Sequence, residues 1–115
     1  MKKTLLIVVL LIFSAVACKG GANTNPNHLK NIISNGAMVV DVRTAEEFSS
    51  ARFDGAVNIP LNEIETRLSE FGNDKTKPIV LYCRSGSRSA RAKTILEGNG
   101  YTNIINGGGL TDMPK

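Results

Sequence analysis

Residues Pro78-Ile79-Val80-Leu81-Tyr82 form a continuous apolar run that stops abruptly at Cys83. Arg84, Ser85, Gly86, Ser87 and Arg88 follow, all small or cationic, and Ser89 to Leu96 then reads as a helix ended by Gly98-Asn99-Gly100. A short uninterrupted apolar run fits a strand buried on both faces, as in a parallel sheet covered by helices. The chain therefore passes from a buried strand through a tight loop into a helix N-terminus, with a thiol at the junction. Such a loop turns successive backbone N–H groups inward, and the helix dipole adds to their attraction for an anion. A cysteine at its first position is expected to have a lowered pKa, from these donors and from Arg84 and Arg88. Gly86 supplies a residue that tolerates positive φ.

The same alternation runs through the rest of the chain. Asn25 offers an N-cap oxygen with Pro26 at the first helical position, Leu29, Ile32 and Ile33 recur at helical spacing, and Gly36 supplies the stop. Ala37–Val42 reads as a second buried strand. Thr44 and Glu47 have the capping-box spacing for a short helix through Phe48. Arg52–Gly55 is a turn, and Ala56–Ile59 a short strand closed by Pro60. Asn62 is expected to cap a helix over Glu63–Phe71 with Ile64, Leu68 and Phe71 on one face. Tyr101–Ile105 is expected to be the last strand, with Gly107-Gly108-Gly109 turning the chain toward Leu110 and Met113. The predicted fold is α/β: one domain over residues 26–115, a mostly parallel sheet of 4–5 strands and helices on both faces. Ligands of such sheets bind beyond the carboxyl ends of the strands, where Cys83 falls.

The N-terminus has a different character. Met1-Lys2-Lys3 is a short positive start, and the uncharged run to Cys18 contains the strongly apolar Leu5–Phe13. Its length fits an export signal better than a membrane span. The end, Ala15-Val16-Ala17-Cys18, resembles a bacterial lipoprotein signal: residues 1–17 would be removed and Cys18 lipidated. Cleavage nearby by an ordinary signal peptidase, leaving a soluble periplasmic protein, and an uncleaved anchor are the alternatives. Residues 18–25 read as a flexible tether holding the domain at the periplasmic or outer face of a membrane. Lipidation consumes the Cys18 thiol, so no disulfide to Cys83 is expected. Without Lys2 and Lys3, Lys+Arg falls from 14 to 12 against 10 Asp+Glu, a net charge of +2. That balance is too mild to argue for a nucleic-acid partner.

Four segments together resemble the rhodanese (sulfurtransferase) family, and in particular its small periplasmic phage-shock type. Cys83-Arg84-Ser85-Gly86-Ser87-Arg88-Ser89 resembles the active-site loop; Val39 to Phe48 and Gly55 to Leu61 look like two further signatures, and Asn106 to Leu110 the closing glycine motif. They occur in the family's order and span Met38 to the C-terminus. The segment before Met38 is short and the tail lacks tryptophan, so a first edge strand and a final helix of the family are expected to be missing. The resemblance implies a three-layer fold and places the end of the Val39–Val42 strand near the catalytic loop. Asp41 and Arg43 are then expected to support the site, Arg43 pairing with Asp41, Glu46 or Glu47.

The resemblance implies sulfur transfer. Cys83 would take the outer sulfur of thiosulfate or a similar small anionic donor as a persulfide and pass it to a thiol or cyanide. Arg84, Ser85, Gly86, Ser87 and Arg88 would bind the anion and stabilise the persulfide. His28, the lone histidine, is given no role, because a single histidine on a first helical turn is more often a surface residue than a catalyst, and a site that keeps its own thiol ionised needs no separate base. There is no Walker loop, dinucleotide fingerprint or metal-ligand cluster, so no metal or organic cofactor is implied, and a monomer is expected. Two rival readings use the same loop: a non-catalytic persulfide carrier or redox-sensing module, and a phosphatase or arsenate reductase acting on a larger oxyanion. The second is disfavoured because the loop holds six residues from Cys83 to Arg88, one fewer than in the family's phosphatase relatives.

Overall fold

The computed structural model describes residues 25–115; the expected signal, Cys18 and most of the tether lie outside the described residues. Strands β1 (Met38–Asp41), β2 (Val57–Asn58), β3 (Ile79–Cys83) and β4 (Ile104–Gly109) form one sheet in the order β2-β1-β3-β4, every pair parallel. Helices α1 (Pro26–Ser34), α2 (Ala45–Ser50) and α3 (Ser87–Gly98) and three short 3-10 segments connect them. The three-layer α/β architecture expected from the alternation is present. Among the described residues no strand precedes β1, and β4 is followed by one 3-10 turn, Leu110–Asp112.

All five residues of β3 are buried. Successive side chains of a strand point to opposite faces, so an unbroken apolar run feeds two layers at once. On one face Val39, Val80 and Tyr82 pack with Leu29 of α1 and with Met113. On the other, Val40, Leu81 and Cys83 pack with Ala92 and Leu96 of α3 and with Ile64, Phe71 and Tyr101. Each fully buried Leu or Val in these layers contributes about 1.5–3 kcal/mol relative to an exposed one. The α1 cap is as expected: Asn25 Oδ1 accepts from Asn27 N at 2.8 Å, with Pro26 opening the helix.

Two elements differ from the sequence reading. The helix expected over Glu63–Phe71 is instead two 3-10 segments, Leu61–Thr66 and Leu68–Phe71, and Pro60 rather than Asn62 precedes the first. Arg67 sits at the break with φ −124° and ψ 27°. Its guanidinium bonds Glu63 behind it and Glu70 ahead of it, at 2.7–2.9 Å. Ile64 and Phe71 still reach the core, so the apolar face is right and the winding is tighter.

The second difference is the last strand. Tyr101 is not in it: its N–H bonds Leu96 O at the end of α3, and its hydroxyl bonds Gly72 O at 2.8 Å. The strand starts at Ile104, and the three glycines continue it rather than turning away. Leu81 pairs with Asn106 and Cys83 with Gly109, so Gly107 and Gly108 together oppose Tyr82 in a bulge. A Cβ on Gly107 would stand 2.9 Å from Met113 Sδ and 3.1 Å from Val80 Cγ1, so the strand passes too close to its neighbours for side chains there.

Candidate active site

The site lies at the carboxyl end of β3. Cys83 closes the strand, and the loop after it turns back at Gly86, whose φ of +99° places it in the left-handed region expected for this position. That reversal aims the Gly86 N–H at the Cys83 sulfur, with N to Sγ 2.9 Å. Gly86 is also the N-cap of α3, so the sulfur stands at an open helix N-terminus whose first-turn amides have no side-chain cap. Arg84, Ser85 and Ser87 are exposed around it, while Cys83 is buried within the loop and free.

The thiol pKa is lowered. Burial by itself pushes it up; the Ser89 hydroxyl and the amides of Ser89, Gly86 and Ser85 outweigh that and hold the sulfur in its anionic form more readily than a free cysteine. The two arginines, which the sequence reading names beside the loop donors, are not among the larger causes. Arg84 is exposed in the loop. Arg88 turns to α2 and forms a two-pronged ion pair with Glu47, at 2.8 and 3.1 Å. Its own pKa is raised, first by Glu47 and to a smaller degree by the Cys83 charge, so Arg88 remains within electrostatic reach of the sulfur.

Glu47 carries two tasks. It completes the α2 capping box, its Oε1 accepting from Thr44 N at 3.0 Å while Thr44 Oγ1 accepts from Glu47 N at 3.2 Å. The same carboxylate holds Arg88, and these contacts depress its pKa to about 2. The capping box was legible from the Thr44–Glu47 spacing; the pairing with Arg88 was not.

Asp41 and Arg43, expected to support the site, pair with each other. Both are buried. Asp41 Oδ1 accepts from Arg43 N at 2.8 Å and from Nε at 2.9 Å, and Oδ2 accepts from Nη2 at 2.6 Å. Arg43 also donates to Ala51 O and lies 5.6 Å from the Tyr82 ring centre. Asn58 Nδ2 donates to both Asp41 O and Arg43 O at 3.0 Å. The pair thus ties the end of β1 to β2, to the end of α2 and to the strand that delivers Cys83. Removing one member of such a buried pair costs about 3–5 kcal/mol, because the other is left uncompensated.

Two residues the sequence reading passed over touch the sulfur's surroundings directly. Ser89 is fully buried in the first turn of α3, its Oγ 3.5 Å from Cys83 Sγ and 2.7 Å from Asn106 Oδ1. Asn106 Nδ2 donates to Gly86 O at 3.1 Å, and Oδ1 accepts from Gly108 N at 2.9 Å. The signal for Asn106 was a polar residue within an otherwise apolar and glycine strand. Among the described residues no cluster of His, Cys, Asp or Glu is suited to a metal ion, and no helix is long and apolar enough to cross a membrane. The arrangement is an ionisable sulfur ringed by neutral donors at a helix N-terminus, able to act as a nucleophile and to stabilise negative charge on what it binds.

The comparisons with known proteins point the same way. A family model described as the Rhodanese-like domain matches residues 25–112. The chain is 42% identical over 78 residues to thiosulfate sulfurtransferase PspE of Escherichia coli, covering 66% of this chain and 75% of that protein. A solved rhodanese with anions from E. coli is 40% identical with a TM-score of 0.64, covering 69% of this chain and 95% of that one. A human single-domain sulfurtransferase, TSTD1, is 27% identical with a TM-score of 0.67, covering 76% and 88%.

Proposed function

The chain belongs to the rhodanese-like domain family, and from that premise we propose that it moves a sulfane sulfur from thiosulfate, or a similar small anionic donor, to a thiol or cyanide through a persulfide on Cys83. The relatives named as sulfurtransferases support sulfur transfer in general. The persulfide step is supported by one observation above the rest: the Gly86 N–H stands 2.9 Å from a buried, free Sγ, with the Ser89 hydroxyl 3.5 Å from the same sulfur. Those donors favour a thiolate, and the first-turn amides of α3, which have no side-chain cap, would favour the charged outer sulfur of a persulfide.

The steps balance without a cofactor. The Cys83 thiolate attacks the outer sulfur of thiosulfate, forming a S–S bond as the bond to the sulfonate sulfur breaks, and sulfite leaves with that electron pair. An acceptor nucleophile then attacks the outer sulfur and the thiolate is restored. We further propose that Cys18 carries a lipid anchor, holding the domain in the bacterial cell envelope with its loop in water.

The test is mass spectrometry of the purified protein after thiosulfate treatment. The expected product carries one added sulfur atom on the peptide containing Cys83, which cyanide removes and which Cys83→Ser does not form. An unmodified Cys83 peptide, or turnover retained in Cys83→Ser, would overturn the proposal.

A further inference from the structure

The Ser89 hydroxyl has one proton and three acceptors around it. Its Oγ lies 2.7 Å from Asn106 Oδ1, 3.0 Å from Gly86 O and 3.5 Å from Cys83 Sγ. The orientation of the Asn106 amide is settled by Gly108 N–H, which needs an acceptor, and that must be Oδ1; Nδ2 then donates to Gly86 O, which also accepts from Ala90 N. Oδ1 therefore accepts from Ser89 as well, at the shortest of the three distances. With its proton on Asn106, Ser89 presents a lone pair to the sulfur. That suits a neutral thiol, whose S–H donates to Oγ. It opposes a thiolate, which needs a donor there.

We propose that the Ser89 hydroxyl is a switchable donor, holding its proton on Asn106 while Cys83 is a thiol and turning it onto Sγ when the sulfur becomes anionic, so that Asn106 competes with the sulfur for that proton. Ser89 keeps its proton throughout; only its direction changes, and the thiol proton leaves to solvent. When the hydroxyl turns, Oδ1 keeps the Gly108 N–H, so Asn106 is not left unsatisfied. A hydrogen bond to an anionic sulfur is stronger than one to a neutral amide oxygen, which supplies the drive for the turn. Ser89 and Asn106 are thus positioning residues: the first completes the donor ring only on demand, and the second sets how readily the sulfur ionises. The charged side chains around the site are not part of the switch. Arg88 is held by Glu47, Arg43 by Asp41, and Arg84 is exposed in the loop.

The relevance of the switch to persulfide chemistry rests on the sulfur-transfer reading, but its test does not. The titration of Cys83 is followed in the full chain by thiolate ultraviolet absorbance, as the difference from Cys83→Ser. Ser89→Ala removes the donor and should raise the midpoint by about one to two pH units, the worth of a single hydrogen bond to charge. Asn106→Ala removes the competitor and should lower it, and should have no such effect when Ser89 is already alanine. A network that only holds the loop in shape would move both variants upward. Should Asn106→Ala fail to fold, the infrared S–H stretch at acid pH decides: it should be shifted by the bond to Ser89 Oγ in the native chain and relax in Ser89→Ala. An unmoved midpoint in Ser89→Ala, an upward shift in folded Asn106→Ala, or an S–H stretch indifferent to Ser89 overturns the proposal. Failure to form a persulfide with the midpoints shifted as expected would instead count against sulfur transfer alone.

Discussion

The backbone of Arg84 occupies the space a side chain on Gly109 would need. A Cβ built on Gly109 would stand 2.9 Å from the Arg84 carbonyl carbon and would overlap its oxygen outright. Gly109 pairs with Cys83 across the sheet, and its N–H bonds Asp112 Oδ2 at 2.8 Å. The first peptide of the loop after Cys83 is therefore pressed against the end of β4, and a glycine is what lets it sit there.

Gly109→Ala is expected to displace that peptide, since the clash is with backbone and no flexible side chain can move aside. The cost should be about 1–3 kcal/mol of stability, in the range of overpacking a close-packed site. Persulfide formation should fall by at least tenfold even in the folded fraction, because a shift of the Arg84 peptide carries the following amides away from the sulfur. Denaturant unfolding together with single-turnover sulfur loading measures both; native loading in Gly109→Ala would show that the loop does not depend on this contact.

Glu47 links acid stability to the site. Its pKa is about 2 in the folded chain, chiefly because of Arg88, against an ordinary value of 4.5. A depressed carboxylate stabilises the fold above its unfolded pKa, and that contribution drains away as the pH falls from about 4.5 toward 2. Both side chains are partly exposed, so solvent screening reduces the pair to about 1 kcal/mol. Glu47→Gln should lose that amount at neutral pH and should converge with the native chain as the pH approaches 2. Melting curves across the acid range check this; a constant gap at every pH would mean that Glu47 contributes through the helix cap rather than through its charge.

Metabolic labelling with a fatty acid tests the proposed anchor. Label is expected on the native chain and absent from Cys18→Ala, with the mature N-terminus at residue 18. Label retained in Cys18→Ala would take the acyl group off Cys18, and an unlabelled native chain or an N-terminus farther along would leave a soluble exported domain and remove the membrane from the account.

Much of the site was legible because its chemistry is local. The strand that ends at Cys83, the reversal at Gly86, the opening of α3 and the Thr44–Glu47 capping box each depend on residues a few positions apart, where covalent geometry confines what the chain can do. The buried Asp41–Arg43 pair belongs to the same class, two residues apart on one strand end. What escaped the sequence are contacts whose partners meet only through the sheet. Arg88 finds Glu47 across 41 positions and Ser89 finds Asn106 across 17, and no spacing rule relates them. The parallel register with its one-residue bulge decides both Asn106's place beneath Gly86 and Gly109's against Arg84, which is why three glycines that read as a turn are a strand. Local sequence thus determined that a thiol would stand at a helix N-terminus, while tertiary packing decided which donors surround it, because those depend on how closely separate backbones approach.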